Sequence, residues 1–367
     1  MADRRSHTYA DALPEPPTLL DRVAAIGARA LLSLPEPALR IVAGRPIRCD
    51  GQQLAASAQL ILRFAQAPAD TPVEKMRALA RQRARMLNAA HRIRTHRRAV
   101  TVPGATGELA ARLYEPARTI RPEALLVFFH GGGWSTGGLD SHDMVCDFLA
   151  AEAGVQVLSV EYRLAPEDRF PAAYTDALTA YEHIVAHAND FGADPAAIAV
   201  GGDSAGGNLA AAVAQSVGLD HPDRRPAFLM LLYPALDAVE RRPSWQLFGE
   251  GFGLTDALVT SFYQFYAPDP VVHPDPRLSP LRAVDKSALP PTYIATAGFD
   301  LLRDEGEQYG QLLQEAGVPV QVRRHADLYH GFANQLGIES VSRDAVAAAA
   351  AALRAGLAMK RSRPPTD

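Results

Sequence analysis

The sequence predicts an α/β fold: a mostly parallel, doubly wound sheet with helices on both faces, preceded by a helical N-terminal region. Three observations carry that prediction. From about Ala99 onward, strand-like runs alternate with helical ones, the pattern of strands joined by crossover helices. Several of the runs, such as LLVFF (125–129) and FLMLLY (228–233), are continuously apolar, as parallel strands covered on both faces require. The first ~95 residues instead show apolar spacings near 3.6.

In that first part, Leu20, Val23, Ile26, Ala30, Leu31 and Leu34 trace one helical stripe, stopped by Pro35. The stripe is expected to be buried. Asp50 is placed to cap a second helix carrying Leu54, Ala58, Ile61 and Ala65, ended by Pro68. A third begins with Thr71 at N-cap, Pro72 at N1 and Glu74 at N3, a capping box. Beyond Ala99 the predicted strands are 109–114, 125–129, 155–160, 198–202, 228–233, 292–298 and 320–324. Helical stretches such as AAYTDALTAYEHIVAHA and GNLAAAVAQSV lie between them. The division is thus a helical cap region over 1–95, a catalytic domain over 96–358 and a frayed tail over 359–367. Segment 235–275 holds Trp245, Phe248, Phe252, Phe262, Tyr263, Phe265 and Tyr266 without a clear strand. It reads either as an additional cap segment or as ordinary packing helices.

At 367 residues, 48% of them hydrophobic, the chain can bury a large core, and wholesale disorder is excluded. No apolar run is long enough for a spanning helix, and the basic start MADRRSHTYADALPEPP has no apolar stretch behind it, which argues against a signal peptide. Only Cys49 and Cys146 occur, so a reducing cytoplasm is the expected compartment. The net charge of −4 conceals an asymmetry: residues 1–98 hold 17 Lys+Arg against 8 Asp+Glu, +9, leaving −13 for the rest. The basic run 77–98 lacks the aromatic residues of a nucleic-acid surface and reads as a helix whose basic face is solvated or rests on the acidic body.

The chemistry starts from GDSAG at 202–206, a G-x-S-x-G placed after one strand and before an alanine-rich helix. A strand turning sharply into a helix presents Ser204 at the carboxyl edge of the sheet, and flanking glycines remove side chains that would clash. Serine needs a base, and the base an orienting carboxylate. Of the histidines after Ser204, His221 and His273 sit in Pro/Asp-rich surface-like segments and His325 ends a strand. His330, in DLYHGF just beyond that strand, is the better base. Asp300 terminates a strand at its carboxyl end, whereas Asp304 and Glu305 fall inside the following helix. The run HGGGW at 130–134 supplies bare backbone N–H groups near the serine. Gly132 and Gly133, with Ala205 at the start of the helix, would give three donors for an oxyanion, an interaction worth ~3–4 kcal/mol per donor in a transition state. His130 is expected to anchor that loop rather than move protons. Asp140, His142 and Asp143 in one loop are expected to be solvated, not to hold a metal, and no cofactor is called for.

These motifs in this order resemble the bacterial esterases of the hormone-sensitive lipase family of α/β hydrolases. The resemblance spans roughly residues 72–335: HGGGW, YRLAPEDRFPAAYTDA at 162–177, GDSAGG at 202–207, SPL at 279–281, DLLRDEG at 300–306 and HGF at 330–332. It implies the α/β-hydrolase fold, Ser204, Asp300 and His330 as triad, Gly132, Gly133 and Ala205 as oxyanion hole, and an N-terminal helical cap over the site. It further implies that Tyr162, Arg163 and Pro166 brace the loop beneath. The implied activity is a serine carboxylesterase for short- to medium-chain esters. A small-molecule ester is then the partner, without nucleic acid or stable membrane insertion, and a homo-oligomer is compatible with the sequence. The alternatives are an amidase or deacetylase on the same triad, or a non-catalytic receptor, like the plant gibberellin receptor, which resembles the family but lacks its catalytic His.

Overall fold

The structure, a computed structural model, describes residues 17–64 and 71–359. Residues 1–16, the end of the second sequence-predicted helix at Ala65–Pro68, and the tail 360–367 lie outside those described. The chain opens with α1 (Leu19–Leu32) and α2 (Glu36–Ala43), a two-residue hairpin β1 (Arg48–Cys49) and β2 (Gln52–Gln53), then α3 (Ala56–Leu62) and α4 (Val73–Ala89). β3 (Thr95–Pro103) and β4 (Glu108–Pro116) lead into β5 (Leu125–Phe129), α5 (Asp143–Ala153), β6 (Gln156–Val160) and α6 (Ala172–Ala186). β7 (Ile198–Asp203), α7 (Ala205–Asp220), β8 (Leu229–Leu232), α8 (Pro243–Phe248) and α9 (Asp256–Tyr266) follow. The domain closes with β9 (Thr292–Phe299), α10 (Arg303–Glu315), β10 (Val320–Tyr329) and α11 (Ser340–Ala358).

The eight-stranded sheet runs β10-β9-β8-β7-β5-β6-β4-β3. All neighbours from β6 through β5 to β10 are parallel, and β4 meets β6 and β3 antiparallel. Every residue of β5, β7, β8 and β9 is buried, as central parallel strands covered on both faces require. α7 lies on β5, β7 and β8 with α6 beside it, while α5 and α11 pack together. The strand order reverses between β5 and β7, and the loops leaving their carboxyl ends face one crevice, the place open α/β sheets reserve for ligands.

The N-terminal region agrees with the sequence reading at Pro35 and departs from it in four ways. The first helix ends at Leu32, ahead of Pro35 as expected, and Pro35 then stands as N-cap of α2, which carries a proline in its first turn. Asp50 caps no helix: with φ of 53° it and Gly51, at 71°, form the hairpin turn, the use that an Asp-Gly pair favours. α4 starts one residue later than the capping box implied, with Pro72 as N-cap and no side-chain cap bond. The basic run is helical only to Ala89; Thr95 begins an edge strand. The largest departure is α1, whose apolar stripe is exposed: Leu20 80%, Val23 60% and Ile26 69%. The helix packs against α4 through the opposite side, burying only Ala25 and Leu32.

One buried carboxylate joins this region to the sheet. Asp147 of α5 accepts from Arg94 N and Thr95 N, each at 3.0 Å, and from Thr95 Oγ1 at 2.6 Å, and lies 2.6 Å from His91 Nε2. Burial would raise its pKa, but the His91 ring, the Thr95 hydroxyl and the Arg94 N–H together hold it below the usual carboxylate value. Asp147→Ala therefore leaves several donors unsatisfied and is expected to cost about 3 kcal/mol in urea unfolding at neutral pH. Because the folded-state pKa is depressed, that contribution is present above the unfolded value of about 3.9 and fades as pH falls through the folded one. The gap between wild type and variant should close only in acid; a gap that closes between pH 7 and 5 would refute this account.

Candidate active site

Ser204 sits between the last residue of β7 and the first of α7 with φ of 52°, a left-handed conformation that costs a non-glycine residue about 1–3 kcal/mol. Two hydrogen bonds hold the bend: Ser204 N donates to Leu232 O at 2.9 Å, and Asn208 N donates to Ser204 O at 3.0 Å. The glycines matter by proximity. A methyl group at Gly206 would collide with the Phe129 and His130 carbonyl oxygens at the end of β5, and one at Gly202 would collide with the Gly206 carbonyl.

The three residues singled out by the sequence meet here. His330 Nε2 lies 2.9 Å from Ser204 Oγ, and His330 Nδ1 lies 2.8 Å from Asp300 Oδ2. Asp300 follows β9 directly and is buried; its second oxygen accepts from Leu302 N at 2.9 Å, which fixes its plane. The competing residues are placed elsewhere. Asp304 accepts from Ser244 N at 2.8 Å and Arg303 Nε at 2.9 Å. Glu305 accepts from Leu236 N at 2.6 Å, and its complete burial pushes the carboxyl pKa upward. His325 packs against Phe332, His273 bonds the Ala267 carbonyl, and His221 is exposed.

Gly132 and Gly133 follow β5 with φ of 122° and 60°, values open to glycine. Among the described residues, the amides of Gly132, Gly133 and Ala205 donate to no protein acceptor; Gly132 and Gly133 line the same cleft as Ser204, and Ala205 opens α7 directly after the serine. The loop is held from beneath. His130 stacks on Tyr162 at 4.3 Å, its carbonyl accepts from the Tyr162 hydroxyl at 2.7 Å, and burial next to His142 drives its pKa down to about 3, so it is neutral. Arg163 is tied to Asp176 at 2.8 and 2.9 Å, bracing the loop that carries Tyr162.

Asp203, which sequence reasoning passed over, and His142, which it expected to be solvated, complete the support. Asp203, adjacent to the serine, accepts from Gly131 N at 2.8 Å and pairs with His142 Nε2 at 3.1 Å. Burial alone would neutralise it; His142 and the Gly131 N–H keep it ionised. The signal was its place inside GDSAGG. The expectation of a solvated Asp140–His142–Asp143 loop is corrected: His142 and Asp143 are buried, and Asp143 binds Arg97, Arg112 and the Tyr114 hydroxyl. Two arginines reach that carboxylate, so it is neutralised inside the fold rather than by water. No group of side chains suited to a metal ion occurs among the described residues.

The cleft above Ser204 has a volume of about 290 Å³. α4 contributes Ala80, Arg83, Ala84 and Leu87 to one wall; Leu254, Leu258 and Phe262 come from the 235–275 segment. That segment is tied to the glycine loop by Trp134, stacked on Tyr266 at 4.8 Å. It holds the helices α8 and α9, and Leu254, Leu258 and Phe262 line the cleft.

This geometry has close parallels. Residues 126–334 match a family model described as the alpha/beta hydrolase fold. The chain belongs to that family. It is an ester-hydrolysing member of the hormone-sensitive-lipase-like branch. Its sequence is 43% identical over 329 residues to the carboxylic ester hydrolase LipN of Mycobacterium tuberculosis, covering 85% of this chain and 86% of that one. It is 41% identical to an ethyl acetate hydrolase of Pseudomonas putida, over 61% of this hydrolase and 71% of the relative. The hyperthermophilic esterase of the archaeon Pyrobaculum calidifontis superposes with a TM-score of 0.76 at 35% identity, over 81% of this chain and 96% of the other.

The close approach of α7 to β5 sets a testable limit on this hydrolase. Gly206→Ala is expected to abolish soluble, cooperatively melting protein, since the added methyl meets backbone that cannot step aside. Gly331→Ala, whose added methyl meets open space but whose φ is 81°, should cost only about 1 kcal/mol. Thermal melts of the two variants check the contrast.

Proposed function

We propose that Ser204, His330 and Asp300 hydrolyse carboxylic esters through an acyl-enzyme, with Gly132, Gly133 and Ala205 as the oxyanion donors. The observation that supports it is the unbroken hydrogen-bonded line from Asp300 through His330 to Ser204, ending beside three unpaired N–H groups. With Nδ1–H donated to Asp300, Nε2 of a neutral His330 is free to take the Ser204 proton as Oγ attacks the ester carbonyl. The carbonyl oxygen gains the negative charge that the three amides stabilise. The C–O bond to the alcohol breaks, and His330 returns the proton to the departing alcohol. Water repeats the sequence on the acyl-Ser204 ester, releasing the acid and restoring the serine.

Two features support preferences within that chemistry. Helices α1–α4 act as a cap: Arg77 of α4 forks onto Glu167 at 2.9 and 2.7 Å and bonds the carbonyls of Ser135 and Ala165, fastening the helix next to the glycine loop. A cleft of about 290 Å³ walled by α4 and the α9 segment has finite depth, which favours short and medium acyl chains. Among the described residues no helix is long and apolar enough to cross a membrane, and both cysteines are free thiols, in keeping with a cytoplasmic enzyme.

Ser204→Ala should retain the fold and lose both ester turnover and labelling by a fluorophosphonate; strong labelling of the variant would sink the nucleophile assignment. Asp300→Asn should lower kcat ~10⁴-fold because the imidazole loses its orienting partner. Asp304→Asn should stay within a few-fold of wild type, and the reverse order would mean that the wrong carboxylate was chosen. Across p-nitrophenyl esters, kcat/KM should be highest between acetate and hexanoate and fall for dodecanoate and palmitate. A maximum at palmitate would contradict the finite-depth reading.

A further inference from the structure

The basic run 77–98 divides according to what each arginine meets. Arg77 is paired with Glu167, Arg85 approaches Asp21 at 4.0 Å, Arg94 meets Glu152 and Arg97 meets Asp143. Arg81, Arg92 and Arg98 are exposed. Arg83 fits neither group. It is half-buried, has no carboxylate in ion-pair reach among the described residues, and lines the same cleft as Ser204, His330 and the oxyanion glycines.

The other charged group bordering that cleft is already committed. Asp203 is spent on Gly131 N and His142. The same cleft is lined by Ala80, Ala84 and Leu87 of α4, by Leu254 and Leu258, and by the neutral polar side chains of Asn334 and Gln335. The guanidinium does act on the Tyr329 phenol: burial pushes that group well above its ordinary value, and Arg83 pulls it partway back. A phenol is no counter-charge. A half-buried cation beside an apolar wall loses hydration that no protein anion restores. The fork of N–H donors that a guanidinium presents matches a carboxylate in two parallel hydrogen bonds.

We propose that Arg83 is a specificity residue that receives a free carboxylate on the substrate, so that this hydrolase selects anionic esters over neutral ones of the same shape. The inference rests on the reading of Ser204 as nucleophile. Such esters come in two forms: half-esters of dicarboxylic acids, with the carboxylate on the acyl arm, and acylated hydroxy acids, with it on the alcohol arm.

The experiment measures kcat/KM of the full-length enzyme for two matched pairs. For the acyl arm these are monoethyl succinate and ethyl 4-oxopentanoate; for the alcohol arm, 3-acetoxypropanoate and 4-acetoxybutan-2-one. In at least one pair, the anionic-to-neutral ratio of wild type should fall about tenfold in Arg83→Gln, as loss of a partly screened charge-assisted bond predicts. Arg83→Lys should keep part of the preference and Arg83→Glu should fall below Gln. Raising the salt concentration should lower the wild-type ratio and leave the Gln ratio unchanged. The pair that responds tells which arm lies along α4. Neutral-ester turnover by wild type, lost in Ser204→Ala, tests the nucleophile separately. With that turnover in place, equal ratios in wild type, Gln and Glu for both pairs overturn the role given to Arg83 and leave the serine reading standing.

Discussion

The site depends on how closely α7 can press against the end of β5. The turn from β7 into α7 is sharp enough to hold Ser204 at φ of 52°, and it closes only because Gly202 and Gly206 leave room for the backbone of Phe129 and of each other. From that contact the remaining placements follow. Ser204 Oγ is raised at the switch point between β5 and β7, and Ala205 N–H becomes a first-turn helix donor with no intrahelical acceptor. The glycine loop that leaves β5 is brought to the same point. An enzyme with a looser elbow would keep the same residues and lose their common focus.

Electrostatics then hold what sterics has placed. Asp203 is the neighbour of the serine, yet it works in the opposite direction, gripping Gly131 N and His142 under the glycine loop. Those groups outweigh its burial and hold its pKa down, whereas Glu305 has a single backbone donor at one oxygen and burial pushes its pKa up. Asp300 has Leu302 N on one oxygen and His330 on the other. Three buried carboxyl groups near one cleft thus take different parts because of the donors each one faces.

How much of this was legible from the sequence depends on the range of the signal. The buried strands could be read because an apolar run such as LLVFF has one stable use in a domain of this size, and β5, β7, β8 and β9 appear where expected. Ser204, His330 and Asp300 were reachable because each stands just past the carboxyl end of a predicted strand, and the structure brings them within hydrogen-bond distance. Local signals that compete were misread. The period of Leu54, Ala58 and Ile61 hid the Asp50-Gly51 turn, and the arginines of THRRAVTVP masked the alternation of an edge strand with one exposed face. Asp203, His142 and Asp143 were illegible because their partners, Gly131, Arg97 and Arg112, are distant in sequence. No spacing rule reports a partner that only the closed sheet supplies.

The uneven charge of the chain acquires a physical meaning from the same contacts. The basic N-terminal part faces an acidic body, and the excess is drawn down in individual pairs: Arg77 with Glu167, Arg94 with Glu152, Arg97 with Asp143. Arg77 fastens the first turns of α4, and Asp147 gathers His91, Arg94 and Thr95 just past its last turn, so the helix that walls the cleft is fastened at both of its ends. α1 is held differently, by packing on α4 with its apolar stripe outward. The N-terminal region therefore has an inner helix, α4, whose position is set by charge and hydrogen bonding to the rest of the chain, and an outer helix, α1, that packs on it. Substitutions in α4 act on the cleft directly, while those on the outer face of α1 act on a surface turned away from α4.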